Sequence, residues 1–261
     1  PSIGNDSIMG MNTYKENHFS VGGEISKTDG NFLHYNANGE ITILGDDIGE
    51  FNIDGNADLN FAIGKRDTVQ LAAHGLISET RPDFYMEHYH SQSAWWDNDN
   101  LNMEKHFRVE GTLSNKRSKT SLTFGFENIN NYTYFAMHNT LLKGADATST
   151  QAKDYSHEVG VTQASNDIQV YQATLKQDFK AGPLNWENEI TYQHTSNANA
   201  LPLPKLNIYS NLCLLFRVAK VLRVELGADV RYFTHFYAPD YSANIGQFAV
   251  QDTSNPRVKI G

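Results

Sequence analysis

A chain of 261 residues with a net charge of −9 and a pI near 5.5 lacks the basic stripe of a nucleic-acid footprint, so no nucleic-acid partner is expected. The solitary Cys213 excludes an internal disulfide framework. The longest apolar run, Leu212-Cys-Leu-Leu-Phe216, is five residues, far below the ~20 of a transmembrane helix, so any membrane location has to be by β-barrel.

In chain order, residues 1–17 are rich in Gly, Asn, Asp and Ser without periodicity and read as a loop. Pro1 follows no basic or apolar leader, and Pro256-Arg-Val-Lys-Ile-Gly261 resembles the start of another strand, so both ends read as cuts in a longer chain. A strand is expected over His18–Ser26, with tight turns at Thr28–Asn31 and Asn38-Gly39. From Phe51 to Ile63 every odd position is apolar or Gly, and all the even ones except Ala62 are Asn or Asp, which is a full-length strand. A Gly64–Asp67 turn leads into Val69, Leu71, Ala73 and Ile77. A long aromatic and polar excursion covers 78–103.

Alternation resumes with Phe107, Val109 and Leu113, turns at Asn115–Ser118 and returns through Leu122, Phe124 and Phe126. It slips phase near 128–131, as a bulge would make it do. A polar loop is expected over about 138–156. Tyr171, Ala173, Leu175 and Phe179 then pair through Lys180–Pro183 with Leu184, Trp186, Ile190 and Tyr192.

The last pair is the longest. Even positions of Leu206–Phe216 are mostly apolar. After Arg217–Lys220, the return run sets Leu222, Val224, Leu226, Val230, Tyr232 and Phe236 against Arg223, Glu225, Asp229, Arg231 and His235. Typical globular strands run ~5–6 residues, whereas a tilted membrane crossing needs ~9–11. Connections after 63, 114, 179 and 217 are short and those after 77, 137, 194 and 236 are long, the asymmetry of outer-membrane barrels. The expected architecture is all-β: one domain over 1–261, an antiparallel transmembrane β-barrel of about ten strands, truncated at both ends.

Leu201-Pro-Leu-Pro-Lys205, Tyr209–Leu212, Gly227-Ala-Asp-Val-Arg-Tyr-Phe233, Tyr237–Tyr241 and Gly246-Gln-Phe248 together resemble the putative-porin family of Bacteroides-type outer membranes. Gly125–Ile129, Asn131–Phe135 and Trp96–Asn98 resemble the same family. The resemblance implies an outer-membrane barrel without enzymatic activity.

If the sheet closes in lipid, its charged face has to look into the lumen. Arg223, Glu225, Asp229, Arg231 and His235, together with Glu187 and Glu189, are then the pore-lining candidates. Leu222, Val224, Leu226, Val230, Tyr232 and Phe236 are the lipid-facing ones. The expected partners are outer-membrane lipid and small polar solutes. Trp95 and Trp96, beside Asp97 and Asp99, are loop candidates for stacking a sugar, with packing or rim anchoring as the competing role.

Other constellations favour bland readings. Asp54-Gly-Asn-Ala-Asp58 imitates the start of a calcium loop but has Leu59 and Lys65 where Gly and Glu belong. His88 and His90 lack further ligands at metal spacing. Glu187 and Glu189 share a face without anything to raise one pKa, as an acid/base pair would need. No phosphate loop or nucleophile motif occurs, so no cofactor, metal or catalysis is expected. The rival from another class is a soluble or surface-exposed β-sheet protein that binds glycans or partners through the 90–100 and 237–248 loops.

Overall fold

A computed structural model describes residues 15–63, 67–146 and 154–252. The elements in order are β1 (His18–Lys27), β2 (Leu33–Gly45), β3 (Phe51–Ile63), β4 (Asp67–Thr80), a helical turn α1 (Phe84–Glu87), β5 (His88–His90), β6 (Trp95–Asp97), β7 (Glu104–Asn115) and β8 (Thr120–Asn130). They continue with β9 (Thr133–Leu141), β10 (Tyr155–Gln163), β11 (Ile168–Ala181), β12 (Leu184–Thr195), β13 (Leu206–Val218), β14 (Leu222–Phe233), β15 (Asp240–Ser242) and β16 (Gln247–Ala249).

Ten of these strands form one antiparallel sheet in the order β1-β2-β3-β4-β7-β8-β11-β12-β13-β14, with β1 and β14 at its edges. Each is 10–14 residues long, well beyond the usual globular strand. The register preserves side-chain parity from β2 to β14, with one irregularity at Phe19/Ser20 in the β1–β2 pairing. Ile53 pairs with Ile77, Leu71 with Leu113, Leu122 with Leu175, Phe179 with Trp186, and Leu214 with Leu226. A slip of one residue anywhere would transfer apolar side chains to the other face, so this pattern is what specifies the pairing. One face of the sheet is predominantly apolar, with Glu79, Lys105, Gln177, Asn188 and Ser210 as its polar exceptions. The other carries most of the Asp, Glu, Lys, Arg, His, Asn and Thr side chains.

Antiparallel hairpins place most tight connections at one end of the sheet. These are 28–32, 116–119, 182–183 and 219–221; the 64–66 turn lies outside the described residues. In the last, Ala219 and Lys220 both have positive φ and Val221 N–H donates to Val218 C=O at 3.2 Å, the geometry of a type I′ hairpin turn. The opposite end holds the connections 81–103, 131–167 and 196–205 and the segment after 233. The exception there is 46–50, which is short.

The long connections fold together rather than trailing into solvent. β9 and β10 make a separate hairpin, and Val250 bridges to it: Met137 N–H donates to Val250 C=O at 2.8 Å and Val250 N–H to Phe135 C=O at 2.7 Å. Tyr89 Oη and Ser93 Oγ both donate to Asn244 C=O. Beneath them Ile129, Ala164, Ile168 and Ala200 form a small buried core, flanked by Tyr132, Tyr134, Val170 and Leu201.

Several expectations need correcting. Asn38 and Gly39 make no turn. They sit within β2, paired with Glu24 and Gly23, because β1 aligns with the full length of that strand. The phase slip near 128–131 is the end of β8: Asn131 takes a positive φ of 55° and the chain leaves the sheet. The expected loop over 138–156 is narrower: β9 runs to Leu141 and β10 starts at Tyr155, with no strand over 142–146 and residues 147–153 outside the described ones. β14 stops at Phe233, so His235 and Phe236 are not strand residues. The readings of residues 1–14 and of Pro256–Gly261 fall outside the described residues.

Candidate functional site

The polar face is assembled from rows of side chains that the register sets side by side. One row crosses four strands as Thr112, Thr123, Thr174 and Thr191; Oγ1 atoms of the first pair are 2.9 Å apart and of the last pair 3.1 Å. Thr174 is buried in this hydroxyl belt. A second row is Lys176, Glu189, Tyr209 and Arg231. Lys176 Nζ reaches Glu189 at 3.0 Å, and the Arg231 guanidinium lies 5.1 Å from the Tyr209 ring centre, a cation–π distance. Glu189, Tyr209 and Arg231, with Thr191, Asn207 and Ile208, line an open depression of about 420 Å³. The adjacent row is Asp178, Glu187, Asn211 and Asp229, with Asn211 Nδ2 donating to Glu187 at 3.2 Å.

Glu187, Glu189, Arg223, Glu225, Asp229 and Arg231 therefore share one face, as their parity predicts. Arg231 and Asp229 approach only to 4.0 Å and both remain largely exposed. Arg223 stands directly opposite Arg217. His235 lies beyond the strand, its ring 5.5 Å from Tyr237.

The other half of this face was not singled out in the sequence. His74 bridges β3 and β7: its Nε2 is 2.6 Å from Asp54 and its Nδ1 3.7 Å from Glu110, which also accepts from Arg108 at 2.6 Å. His34 contacts Asp58 at 3.0 Å, and His106 contacts Glu127 at 3.1 Å and Glu104 at 3.4 Å. The alternation marked Asp54 and Asp58 as polar-face residues. Their partners come from other strands and become visible only with the register. Both aspartates are thus held by histidines within β3, where no calcium loop forms. Among the described residues no group of three or more His, Cys, Asp or Glu is placed to hold a metal.

On the apolar face Leu222 faces Val218, Val224 faces Phe216, Leu226 faces Leu214, and Tyr232 faces Ile208. Leu226 is 60% exposed and Val230 65%, so no described protein layer covers them. The same holds across the sheet to Ile53, Phe124 and Trp186. Phe236 instead sits half-buried beyond the strand, its ring edge-on to Phe233 at 6.0 Å.

The two loop tryptophans differ. Trp96 is packing: it stacks on Tyr89 at 4.9 Å, its Nε1 donates to Tyr85 C=O at 3.0 Å, and it leans on Phe135. Trp95 stacks on His90 at 3.9 Å and is half exposed. His88 Nδ1 and His90 Nε2 both reach Asp97 Oδ1, at 3.0 and 2.9 Å, and these hydrogen bonds hold the Asp97 carboxyl below its ordinary pKa.

The model of a family described as putative porin matches residues 4–261, nearly the whole chain. No curated protein and no solved structure matches.

Proposed function

The chain belongs to the putative-porin family, and from that premise we propose that its ten-stranded sheet is wall in a transmembrane β-barrel of the outer membrane. Small polar solutes diffuse along its charged face. The observation that carries this is the uncovered, predominantly apolar face that runs across all ten strands, interrupted by the Glu79–Lys105 pair at its long-loop end and by Gln177, Asn188 and Ser210. In water it would be a patch far larger than the few hundred Å² that soluble monomers expose. In a bilayer the same face lies against acyl chains, and strands of 10–14 residues are long enough to cross. The opposite face, with Arg231, Asp229, Glu187, Glu189 and the His74 cluster, then meets enclosed water.

No catalytic step is assigned: Glu187 and Glu189 face Asn211 and Tyr209 on the open sheet, in the pattern of a polar lining. The soluble, loop-binding alternative would need a second layer over Leu226 and Val230, and none is described. The test is reconstitution. The protein is expected to be extracted only by detergent, to change gel mobility on heating, and to give ion conductance in planar bilayers. A monodisperse fold without detergent that leaves bilayers sealed overturns the proposal.

A further inference from the structure

The hairpin topology gathers a strongly charged rim at the tight-turn end. Lys27, Lys116, Arg117, Lys119, Lys180 and Lys220 all lie at the turns or the strand ends beside them, and all are exposed. None of the six makes an ion pair to another described residue. The Lys and Arg pairs formed by Arg81, Lys105, Arg108, Lys176 and Arg231 are made elsewhere in the fold. Just inside the rim, on the polar face, Arg217 and Arg223 stand directly opposite each other and add to the positive charge of this end. The long-loop end has the reverse character, with Asp46, Asp47, Asp83, Asp97, Asp99 and Asp240. Asp29 and Asp67 also lie at the tight-turn end, and Arg81, Lys105, Lys143 and Lys205 at the other, so the polarity is an excess of cations at one end and of carboxylates at the other.

The six cations lie along the end of the sheet where the apolar face closes with Ile25, Leu113, Phe179, Val218 and Leu222, all exposed. Flexible Lys and Arg stems beside an apolar band extend along it and set their charges at its edge. We infer that this rim binds the anionic headgroups of phospholipid in the leaflet that meets the tight turns. Acyl chains of those lipids lie on the apolar face, and their phosphates reach the unpaired Lys and Arg side chains. A free phosphate would satisfy the charge but not the adjoining apolar band, so the lipid is the occupant that matches both. The inference rests on the membrane reading above and names a lipid class that reading leaves open.

The test compares the full protein in phosphatidylcholine vesicles carrying trace spin-labelled phosphatidylglycerol or spin-labelled phosphatidylcholine. The motionally restricted fraction of each label is read by electron spin resonance. Phosphatidylglycerol is expected to be enriched at the protein at least ~3-fold over phosphatidylcholine at low salt, and the enrichment to collapse near ~0.5 M salt. The K116Q/R117Q/K119Q/K220Q variant, checked for folding by heat-modifiable mobility, is expected to lose most of it. Equal restriction of the two labels at low salt overturns the inference, as does a preference that salt and the variant leave unchanged. Inorganic phosphate that abolishes the preference at constant ionic strength reassigns the rim to free phosphate. Conductance measured on the same vesicles separates the failures. A conducting protein without lipid preference refutes only this inference, whereas a protein that stays in the aqueous phase removes the pore reading and this inference with it.

Discussion

Ile168 lies directly across from Ile129 on the face whose neighbouring rows are Glu127, Thr174 and Lys176, yet these two side chains are among the most buried in the protein. An apolar pair on the polar face is explained by what covers it. The 131–167 and 196–205 connections bring Ala164, Ala200, Tyr132 and Tyr134 over it, so the loop assembly is seated on the polar face at the long-loop end. Ile168→Ala is expected to cost ~2–5 kcal/mol of cap stability, as truncation of a fully buried isoleucine does. Limited proteolysis checks it: cleavage within 131–167 should accelerate while heat-modifiable mobility of the strands is retained. Equal protection in the variant would mean that the pair is not what holds the cap.

The two faces of β14 should respond oppositely to charge. Leu226→Arg places a guanidinium on the apolar face and is expected to cost ~2–4 kcal/mol of folding stability in bilayers, as at a membrane midplane. Glu225→Arg, one residue away on the polar face, should fold with little penalty. Denaturant titration of folding into vesicles measures both, and similar penalties would contradict the assignment of faces.

Gly227 admits a close approach of β13 and β14. A Cβ there would stand 2.8 Å from Cys213 Cβ and 2.9 Å from Leu212 C=O, on backbone that cannot retreat. Gly227→Ala is therefore expected to destabilise the hairpin by ~1–3 kcal/mol, the usual cost of overpacking. Cys213→Ala alone leaves that Cβ in place and should not rescue it. Hydrogen exchange along 206–233 reports the result.

The β5–β6 hairpin should be acid-sensitive. Hydrogen bonds from His88 and His90 hold the Asp97 carboxyl low, so the carboxylate form is favoured in the folded hairpin. The stabilisation is present above the ordinary aspartate value of ~3.9 and is lost as pH falls through the lowered folded value. Amide protection over 88–97 is expected to drop only in that acid range. Asp97→Asn should remove the dependence, and a loss already complete at pH 6 would contradict the assignment to Asp97.

Much of the sheet was legible because period-two alternation is a local signal: β3, β7, β11, β13 and β14 were each visible as runs, and their faces follow from parity alone. The cap was not. Thr133-Tyr-Phe-Ala-Met-His-Asn-Thr-Leu141 shows no clean alternation, and among the described residues it pairs with β10 and with Val250, far along the chain. Asn38-Gly39 illustrates the opposite error, since a favourable turn dipeptide is overridden when a neighbouring strand offers hydrogen bonds on both sides of it. The His34–Asp58 and His74–Asp54 contacts lie 24 and 20 residues apart in sequence, and only the strand register brings them together.

Cysteine scanning along β14 tests the central claim most directly. In a Cys213→Ala background, single cysteines from 222 to 232 are labelled in bilayers with a charged, water-soluble thiol reagent and with a membrane-partitioning one. The account requires period two: positions 223, 225, 229 and 231 react from water, and positions 222, 224, 226, 230 and 232 only from within lipid. Equal labelling of both parities from water, or protection of the even positions from both reagents, would contradict it.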